Sequence, residues 1–227
     1  MVPCLWAEDG VEAIAMADVL AELARRDPVL GRHIAAVGPF ALTGPTTHDG
    51  AFAALTRAIV YQQLSGRAAS TILGRVLALF PGERFPSPDA ILATHHRRLR
   101  RAGLSEAKAR AIRDLARHAS IGTIPSIDEL RSLPADEVVE RLTVVRGVGQ
   151  WTVEMLLIFR LGHPDVLPVH DLGVRKGLAR LMGRRDLPDA EALLRRGERW
   201  RPWRSVASWY LWRAAELPRP RSRPPSR

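Results

Sequence analysis

Residues 142–175 decide the fold of this chain, and they read LTVVRGVGQWTVEMLLIFRLGHPDVLPVHDLGVR. Gly147 and Gly149 form a turn between two apolar segments with helical spacing, so residues 134–161 predict a hairpin of two helices. Such a turn exposes backbone N–H groups at the start of the second helix, where the helix dipole also favours an anion. Glycine lets the chain come close to a phosphate because it has no Cβ, which indicates a phosphate clamp. A plain tight turn between two helices would need the same glycines.

Helical periodicity continues on both sides of this hairpin, whereas the alternation that is typical of strands is scarce. Glycine–proline pairs interrupt the pattern between some segments, and no internal repeat of fixed period is present. The sequence therefore predicts an all-α fold. The predicted helices cover residues 11–24, 52–61, 65–81, 88–94, 105–118, 134–142, 150–161, 171–182, 189–198 and 205–216.

The charge of the chain favours an acidic partner. Thirty-four lysines and arginines against 24 acidic residues give a formal charge of +10. A positive protein favours a polyanion, with nucleic acid ahead of a membrane surface, although the same charge could serve only to keep the protein in solution. No apolar run approaches the roughly eighteen residues of a membrane span, so a span is not expected. Residues 218–227 are rich in proline and arginine and predict a disordered tail.

Cysteine content limits the cofactors that the chain can hold. Cys4 is the only cysteine in the sequence. One thiol cannot close an internal disulfide, complete a four-cysteine zinc site or ligate an iron–sulfur cluster. The histidines show no spacing typical of a metal site, and the first ten residues lack the basic and apolar regions of a secretory signal. We therefore expect a cytoplasmic protein that requires no cofactor and carries no iron–sulfur cluster.

A second motif follows the hairpin closely. Residues 165–171 read DVLPVHD and lead straight into another predicted helix. The pairing of this motif with the glycine turn resembles the helix-hairpin-helix/Gly-Pro-Asp DNA glycosylase superfamily, and within it 3-methyladenine DNA glycosylase II. In addition, residues 59–72 resemble the family's duplex-probing loop and residues 202–213 its C-terminal helix. The likeness covers residues 48–215, and four separated segments in the family's order make it specific.

This resemblance implies a two-lobed helical domain over residues 1–217, with an active-site cleft between the lobes. It also implies a monofunctional enzyme of base excision repair that acts on double-stranded DNA, and a monomer is the simplest expectation for its assembly. The substrates would be alkylated purines of the 3-methyladenine and 7-methylguanine type, and the location would be the nucleoid of a bacterial cytoplasm. Because the bond between deoxyribose and base is unreachable inside a duplex, the nucleotide must first be flipped out.

Asp171 is the candidate catalytic residue. An aspartate directly before a helix is also a standard N-cap, and position alone favours that interpretation. The two roles are compatible, because a helix N-terminus favours the ionised carboxylate that would stabilise an oxocarbenium-like sugar or activate water. The resemblance assigns Asp171 as the catalytic carboxylate.

Tryptophans are concentrated near the end of the chain, and a further one, Trp151, follows the hairpin turn. Indole faces suit a positively charged purine, because a cation–π energy of about 1–2 kcal/mol is not gained by a neutral base. The resemblance places Trp151 and Trp212 in the base pocket. It also places Met155 there, one helical turn after Trp151, where some relatives carry an aromatic residue. The remaining tryptophans of the C-terminal cluster are expected in the core: Trp200, Trp203 and Trp209.

Four consecutive residues correspond to the duplex-probing loop of the family: Gln62, Gln63, Leu64 and Ser65. The resemblance makes Gln63 the intercalating side chain, with Leu64 beside it. Inserted side chains partly unstack and kink DNA, which helps to extrude a nucleotide. Without the resemblance, a polar turn between two helices is the preferred explanation of the two glutamines.

The resemblance assigns DNA contacts to the backbone of Gly147 and Gly149 in the hairpin. His170, directly before Asp171, is a separate candidate that would touch a phosphate or orient Asp171. A sodium or potassium ion would bind the backbone carbonyl oxygens of Thr143, Val145 and Val148. Relatives that also cut the strand carry a Schiff-base lysine beside the hairpin. Residues 150–152 read QWT instead, which predicts that this enzyme releases the base only.

Two other functions stay open on the sequence. A helix-hairpin-helix DNA-binding protein without activity would keep the glycines and the basic charge, but it would need neither Asp171 nor Trp151. A glycosylase for oxidised or mismatched bases would act on neutral bases, which need more leaving-group assistance than the sequence provides. Measuring the free base released from methylated DNA separates these alternatives.

Overall fold

A computed structural model describes residues 5, 15–42 and 50–217 of the chain. Within these ranges every regular element is helical, which confirms the all-α prediction. The predicted tail, residues 218–227, lies outside the described residues. In chain order the α-helices are α1 (Met16–Arg26), α2 (Pro28–Val37), α3 (Ala51–Tyr61), α4 (Gly66–Leu77), α5 (Pro88–Ala93), α6 (His96–Arg101), α7 (Glu106–Ser120), α8 (Ile127–Ser132), α9 (Ala135–Thr143), α10 (Gln150–Phe159), α11 (Leu172–Leu181), α12 (Ala190–Gly197) and α13 (Arg204–Glu216).

The described residues divide into two compact units. Residues 50–161 form the first unit, in which α3 packs against α4, α7 and α10, and α10 packs against α9. Its core is built from the apolar faces of these helices, with Leu55, Ile112 and Val153 fully buried. Removal of such side chains from water is the main source of stability in the unit.

Residues 15–42 and 162–217 form most of the second unit. Here α11 lies along α13, and α2 packs against α1 and α13. Gly177 makes the approach of α11 to α13 possible, because a Cβ at this position would lie 1.9 Å from the carbonyl oxygen of Leu211. Trp200 and Tyr210 are buried in the core of this unit.

Two of the predicted helix starts have the side-chain caps that the sequence indicates. Ser65 accepts the N–H of Ala68 at 3.4 Å and caps α4, and Ser105 accepts the N–H of Lys108 at 3.2 Å and caps α7. Both caps were predicted and are confirmed. A side-chain oxygen at the N-cap satisfies one of the free N–H groups of the first turn, which explains why these positions are readable in the sequence.

Three helices lie where the sequence predicted none: α2, α6 and α8. The last two have six residues each, which is too short for a helical period to be visible. Helix α2 follows α1 after a single residue, Asp27, so no loop composition separates the two. Asp27 caps α2 by accepting the N–H groups of Val29 and Leu30, and Pro28 occupies the first turn. The sequence therefore contains an N-cap aspartate and a first-turn proline for α2. They follow directly on α1, so no loop composition marks them as the start of a separate helix.

Asp27 also binds side chains from the C-terminal part of the second unit. Its carboxylate is buried and accepts bonds from Arg196 at 2.6 and 3.0 Å and from the indole N–H of Trp200 at 2.9 Å. Burial by itself raises the pKa of this carboxyl, but the bonds from Trp200 and Arg196 outweigh it and hold the pKa below its ordinary value. Asp27 thus links the start of α2 to α12 and to Trp200 beyond it.

Candidate functional site

The loop between α3 and α4, residues 62–65, is called the probe loop below. Gln63 has a φ of 55°, and it is the one non-glycine residue with a positive φ among those that the structure describes. A left-handed conformation costs a residue with a Cβ about 1–2 kcal/mol. Strain of this kind persists only where the surroundings enforce it, and it concentrates at functional positions. Gln63, Leu64 and Ser65 are exposed, so the strained backbone presents their side chains to solvent.

Gln62 has a different position from its three neighbours. Its side chain is half-buried, and its Nε2 donates to the carbonyl oxygen of Gly147 at 3.0 Å and to Oγ1 of Thr152 at 3.1 Å. These two bonds connect the probe loop to the hairpin turn between α9 and α10. The predicted DNA-contacting glutamines therefore differ: the side chain of Gln62 binds the protein, and that of Gln63 is exposed.

The two hairpin glycines differ in backbone conformation and in surroundings. Gly147 has a φ of 77°, and a Cβ there would lie 2.9 Å from the Cβ of Ala111. Gly149 has a φ of −92° and caps α10, and a Cβ there would meet nothing within 4 Å. A tight turn explains Gly147 but not Gly149. The open space at Gly149, directly before the N-terminus of α10, is what close approach of a phosphate requires.

The hairpin turn is also fixed from α7. The backbone N–H of Arg146 donates to the carboxylate of Asp114 at 2.9 Å. Within the turn, the N–H of Val148 donates to the carbonyl oxygen of Val145 at 3.1 Å. Thr143 ends α9, so the three predicted cation-binding carbonyls belong to the end of that helix and the turn after it.

Helix α10 carries the two base-pocket residues predicted in the first unit. Trp151 is 45% exposed, which is unusual for a large aromatic side chain. Met155 is half-buried and lines a cavity of about 230 Å³ between α10 and α3, together with Thr152, Arg57 and Arg160. Glu154, on the same helix, is buried. Its carboxylate accepts a hydrogen bond from the side chain of Gln150 at 2.9 Å.

Asp171 lies at the N-terminus of α11 in the second unit. Its Oδ1 accepts the backbone N–H of Val174 at 2.8 Å, so the predicted N-cap is confirmed. The same oxygen accepts the indole N–H of Trp212 at 2.8 Å. Two donors therefore orient a carboxylate that stays partly exposed. Trp212, predicted in the base pocket, contacts the candidate catalytic carboxylate directly.

Gly173 makes this contact sterically possible. A Cβ on Gly173 would lie 2.7 Å from Cδ1 of Trp212 and 3.0 Å from Oδ1 of Asp171. Real Cβ atoms do not approach a ring carbon to 2.7 Å, so any side chain here would displace the indole. Gly173 was not among the site residues predicted from the sequence. A glycine in the first turn of a helix was the available signal, because glycine is unfavourable there unless space demands it.

The loop that leads to Asp171 is held by the start of α13. Arg204 donates to the carboxylate of Asp165 at 2.6 and 3.0 Å, a bidentate pair. Ser205 donates to the carbonyl oxygen of His163 at 2.6 Å and accepts the N–H of Val166 at 2.9 Å. Neither Arg204 nor Ser205 was predicted to have a role, although both lie in the segment that resembles the family's C-terminal helix.

The remaining predicted residues differ in exposure. His170 is exposed directly before Asp171, so its predicted contact with a phosphate is sterically open. Trp200 and Trp209 are buried, as predicted. Trp203 is partly buried against the same core, and its indole N–H donates to Glu22 at 2.7 Å. In the described ranges no three His, Cys, Asp or Glu residues are grouped as a metal site, and none of the helices there is long and apolar enough to span a membrane.

A helical hairpin with an exposed glycine turn, followed by an aspartate that caps the next long helix, defines a protein of the helix-hairpin-helix class. The family model described as HhH-GPD superfamily base excision DNA repair protein matches residues 56–202. The chain belongs to this family. The predicted superfamily is thereby confirmed.

Known relatives agree in sequence and in structure. DNA-3-methyladenine glycosylase 1 of Schizosaccharomyces pombe is 37% identical over 163 residues, which cover 72% of each chain. The solved structure of the 3-methyladenine DNA glycosylase of that yeast in complex with abasic DNA superposes with a TM-score of 0.78 at 32% identity, over 88% of this chain and 97% of the other. A DNA-3-methyladenine glycosidase from Bacillus halodurans gives a TM-score of 0.77 at 36% identity, over 87% and 89% of the two chains.

Proposed function

We propose that this protein is a monofunctional DNA glycosylase of base excision repair that releases alkylated purines from double-stranded DNA. One observation carries this function above all. The carboxylate of Asp171 is oriented at the N-terminus of α11 by Val174 and Trp212, in a chain whose relatives are named 3-methyladenine DNA glycosylases. An oriented carboxylate at a helix N-terminus is suited to stabilise positive charge that develops on a sugar.

The reaction breaks the bond between deoxyribose C1′ and the base nitrogen. An alkylated purine such as 3-methyladenine or 7-methylguanine carries a positive charge and leaves as a neutral base with the bonding electron pair. The sugar becomes oxocarbenium-like, and the Asp171 carboxylate stabilises its charge or accepts a proton from the attacking water. Water oxygen then adds to C1′, so the products are the free base and an abasic site. A charged leaving group needs no strong general acid.

Base extrusion is assigned to the probe loop. Extrusion costs a few kcal/mol in unstacking and unpairing. Gln63 intercalates at the vacated position and Leu64 and Ser65 contact the adjacent strand, because these side chains are the exposed ones in the loop. Gln62 supports the loop through its bonds to the hairpin.

The hairpin and His170 are assigned to the phosphates. The backbone N–H groups beside Gly149 bind a phosphate at the start of α10, and Gly147 shapes the turn that presents them. His170 contacts a second phosphate near the site. These contacts carry no sequence preference, as an enzyme that searches all DNA for damage requires.

Indole and thioether side chains are assigned to base recognition. The exposed face of Trp151 stacks on the cationic purine, and Met155 contacts its edge. The indole N–H of Trp212 is bound to Asp171, so we assign Trp212 both an edge of the base pocket and the orientation of the carboxylate.

A sodium or potassium ion is proposed at the hairpin turn. The carbonyl oxygens of Thr143, Val145 and Val148 would hold it, and hard oxygen donors fit an alkali cation. The carbonyl oxygen of Val145 accepts one hydrogen bond in the turn, which leaves a second lone pair for a ligand bond. Such an ion would stiffen the turn and add positive charge beside a bound phosphate.

Strand cleavage, assembly and location belong to the same proposal. Neither lysine of the chain is near the hairpin turn in sequence, and residues 150–152 read QWT, so a Schiff base with the sugar is not expected. We propose that the enzyme acts as a monomer on chromosomal DNA, in the nucleoid of a bacterial cytoplasm. The positive charge of the chain suits that partner.

Substitution of the candidate carboxylate tests the proposed function. Asp171→Asn keeps the N-cap, since asparagine caps helices as well as aspartate does, but removes the negative charge. We expect base release from methylated duplex DNA to fall by about a hundredfold or more, with DNA binding retained. The measurement is single-turnover release of free base, with strand breaks scored in parallel and none expected.

Asp189→Asn is the matched control. Asp189 caps α12 by accepting the N–H of Ala192 at 2.7 Å and has no assigned role in the site. Its substitution should leave base release unchanged. If the wild-type protein binds DNA and releases no base, the protein is a DNA-binding module without activity. If Asp171→Asn releases base at the wild-type rate, the catalytic assignment is wrong.

A further inference from the structure

Lys108 binds the end of helix α3. Its ammonium group donates to the carbonyl oxygens of Val60 and Gln62, each at 2.7 Å. Val60 lies in the last turn of α3 and Gln62 ends the helix, where carbonyl oxygens lack an intrahelical donor. The positive charge also lies at the negative end of the helix dipole. One side chain of α7 therefore fixes the end of α3 and the first residue of the probe loop.

The bonds of Lys108 combine with those of the Gln62 side chain. The carbonyl of Gln62 is bound by Lys108, and its amide is bound to Gly147 and Thr152. Gln62 is thus held from both ends, by α7 and by the hairpin. The next residue, Gln63, is the one with the left-handed backbone. Firm anchoring of the preceding residue explains how that unfavourable conformation is maintained.

The choice of lysine at this position is informative. The whole chain contains two lysines, Lys108 and Lys176, among 34 basic residues, so arginine is used almost everywhere else. An ammonium group is compact and has three rotatable donors, whereas a guanidinium group is a wide planar fork. At Lys108 the three donors of one ammonium group serve two carbonyl oxygens that lie two residues apart.

We propose that Lys108 is a positioning residue for base extrusion: it holds the probe loop in the conformation that presents Gln63 and Leu64 to the duplex. The inference rests on the proposed function, because the loop conformation affects the reaction only if a base is extruded. Lys108 acts through the backbone and does not touch the sugar or the base. Its loss should therefore impair extrusion more than the chemical step.

The test compares Lys108→Met with Lys176→Met, which removes the same charge from an exposed position of α11. Both are assayed on an alkylated purine that the wild-type protein releases, placed opposite its normal partner and opposite a mismatched base. A mismatched base is cheaper to extrude. Lys108→Met should lose about tenfold more single-turnover rate on the paired substrate than on the mismatched one, equivalent to about 1.4 kcal/mol. Lys176→Met should lose equally on both.

Amide hydrogen exchange supplies a second measurement that is independent of activity. Lys108→Met should speed the exchange of residues 61–65 and leave the second unit unchanged. Lys108→Gln, which retains N–H donors on a shorter side chain, serves if the methionine variant does not fold, and it should show both effects more weakly. Equal losses on paired and mismatched substrates, or unchanged exchange in the probe loop, would overturn the inference. A wild-type protein without base release would instead overturn the proposed function, while the exchange measurement would still report on Lys108.

Discussion

At the scale of single residues, the absence of a side chain at Gly173 determines the geometry around Asp171. The indole of Trp212 occupies the space that a Cβ would fill, and its N–H reaches the carboxylate at 2.8 Å. Glycine near the start of a helix costs stability relative to alanine. In this structure the glycine leaves room for an aromatic ring in direct contact with the oxygen that caps α11.

Gly173→Ala should therefore separate stability from activity. Alanine has the higher helix propensity, but its methyl group would displace the indole of Trp212. We expect base release to fall by about tenfold to a hundredfold, since small displacements at a reacting centre are costly. The measurements are single-turnover base release and thermal unfolding.

Gly74→Ala is the control for this experiment. A Cβ at Gly74, in the interior of α4, would meet nothing within 4 Å, so the change should stabilise the protein and leave activity intact. Combining Gly173→Ala with Trp212→Phe should cost little more than the worse single change, because both act on one contact. Independent, additive losses would show that Gly173 acts in another way.

At the scale of elements, the segments around the candidate carboxylate are joined by charged and polar side chains. Arg204 and Ser205 at the start of α13 bind the loop that precedes Asp171. Asp27, between α1 and α2, binds Arg196 of α12 and Trp200 beyond it. Hydrogen-bonded carboxylates of this kind specify how elements meet, since a buried charge is tolerated only with its partners in place.

Asp27→Asn should destabilise the protein by about 3 kcal/mol, because it leaves the partly buried Arg196 without its counter-charge. In the folded protein the pKa of Asp27 is below the ordinary value of 3.8. The stability that the ionised carboxylate contributes is therefore complete above pH 3.8, and it is lost as the pH falls through the pKa of the folded state. The difference in unfolding free energy between wild type and variant should be constant near neutral pH and shrink in acid. Urea unfolding at several pH values measures it, and a difference that grows in acid would contradict the assignment.

At the scale of the whole molecule, charge is the property that bears most on function. The chain carries a formal charge of +10, and four of its arginines lie in residues 218–227. Binding to DNA releases counterions in proportion to the number of phosphates neutralised. The salt dependence of binding therefore reports how many of these charges bind the DNA backbone.

Replacement of Arg219, Arg221, Arg223 and Arg227 by glutamine should flatten the salt dependence of DNA binding. For each phosphate that is no longer neutralised, the slope of log K against log salt becomes shallower by about 0.9. The substitutions keep the length of the tail, so only its charge changes. Fluorescence titrations between low and physiological salt measure the slope. An unchanged slope would show that the tail does not touch phosphates.

Much of the fold and of the site could be predicted because the relevant signals are local. Helical periodicity, the serine caps at Ser65 and Ser105 and the aspartate cap at Asp171 all depend on residues within a few positions of one another. The glycine turn and the motif that ends at Asp171 are local as well, and their order along the chain was sufficient to indicate the family.

Contacts between distant segments had no such signal. Lys108 lies 48 residues from Val60, Trp212 lies 41 residues from Asp171, and Arg204 lies 39 residues from Asp165. None of these pairs follows from periodicity or composition. The sequence by itself determined most of the longer helices, the caps at Ser65, Ser105 and Asp171 and, through the family resemblance, the candidate carboxylate, since these signals lie in short segments of the chain. Only the tertiary structure decided which side chains orient that carboxylate and hold the probe loop, because packing of remote helices brings those groups within hydrogen-bond distance.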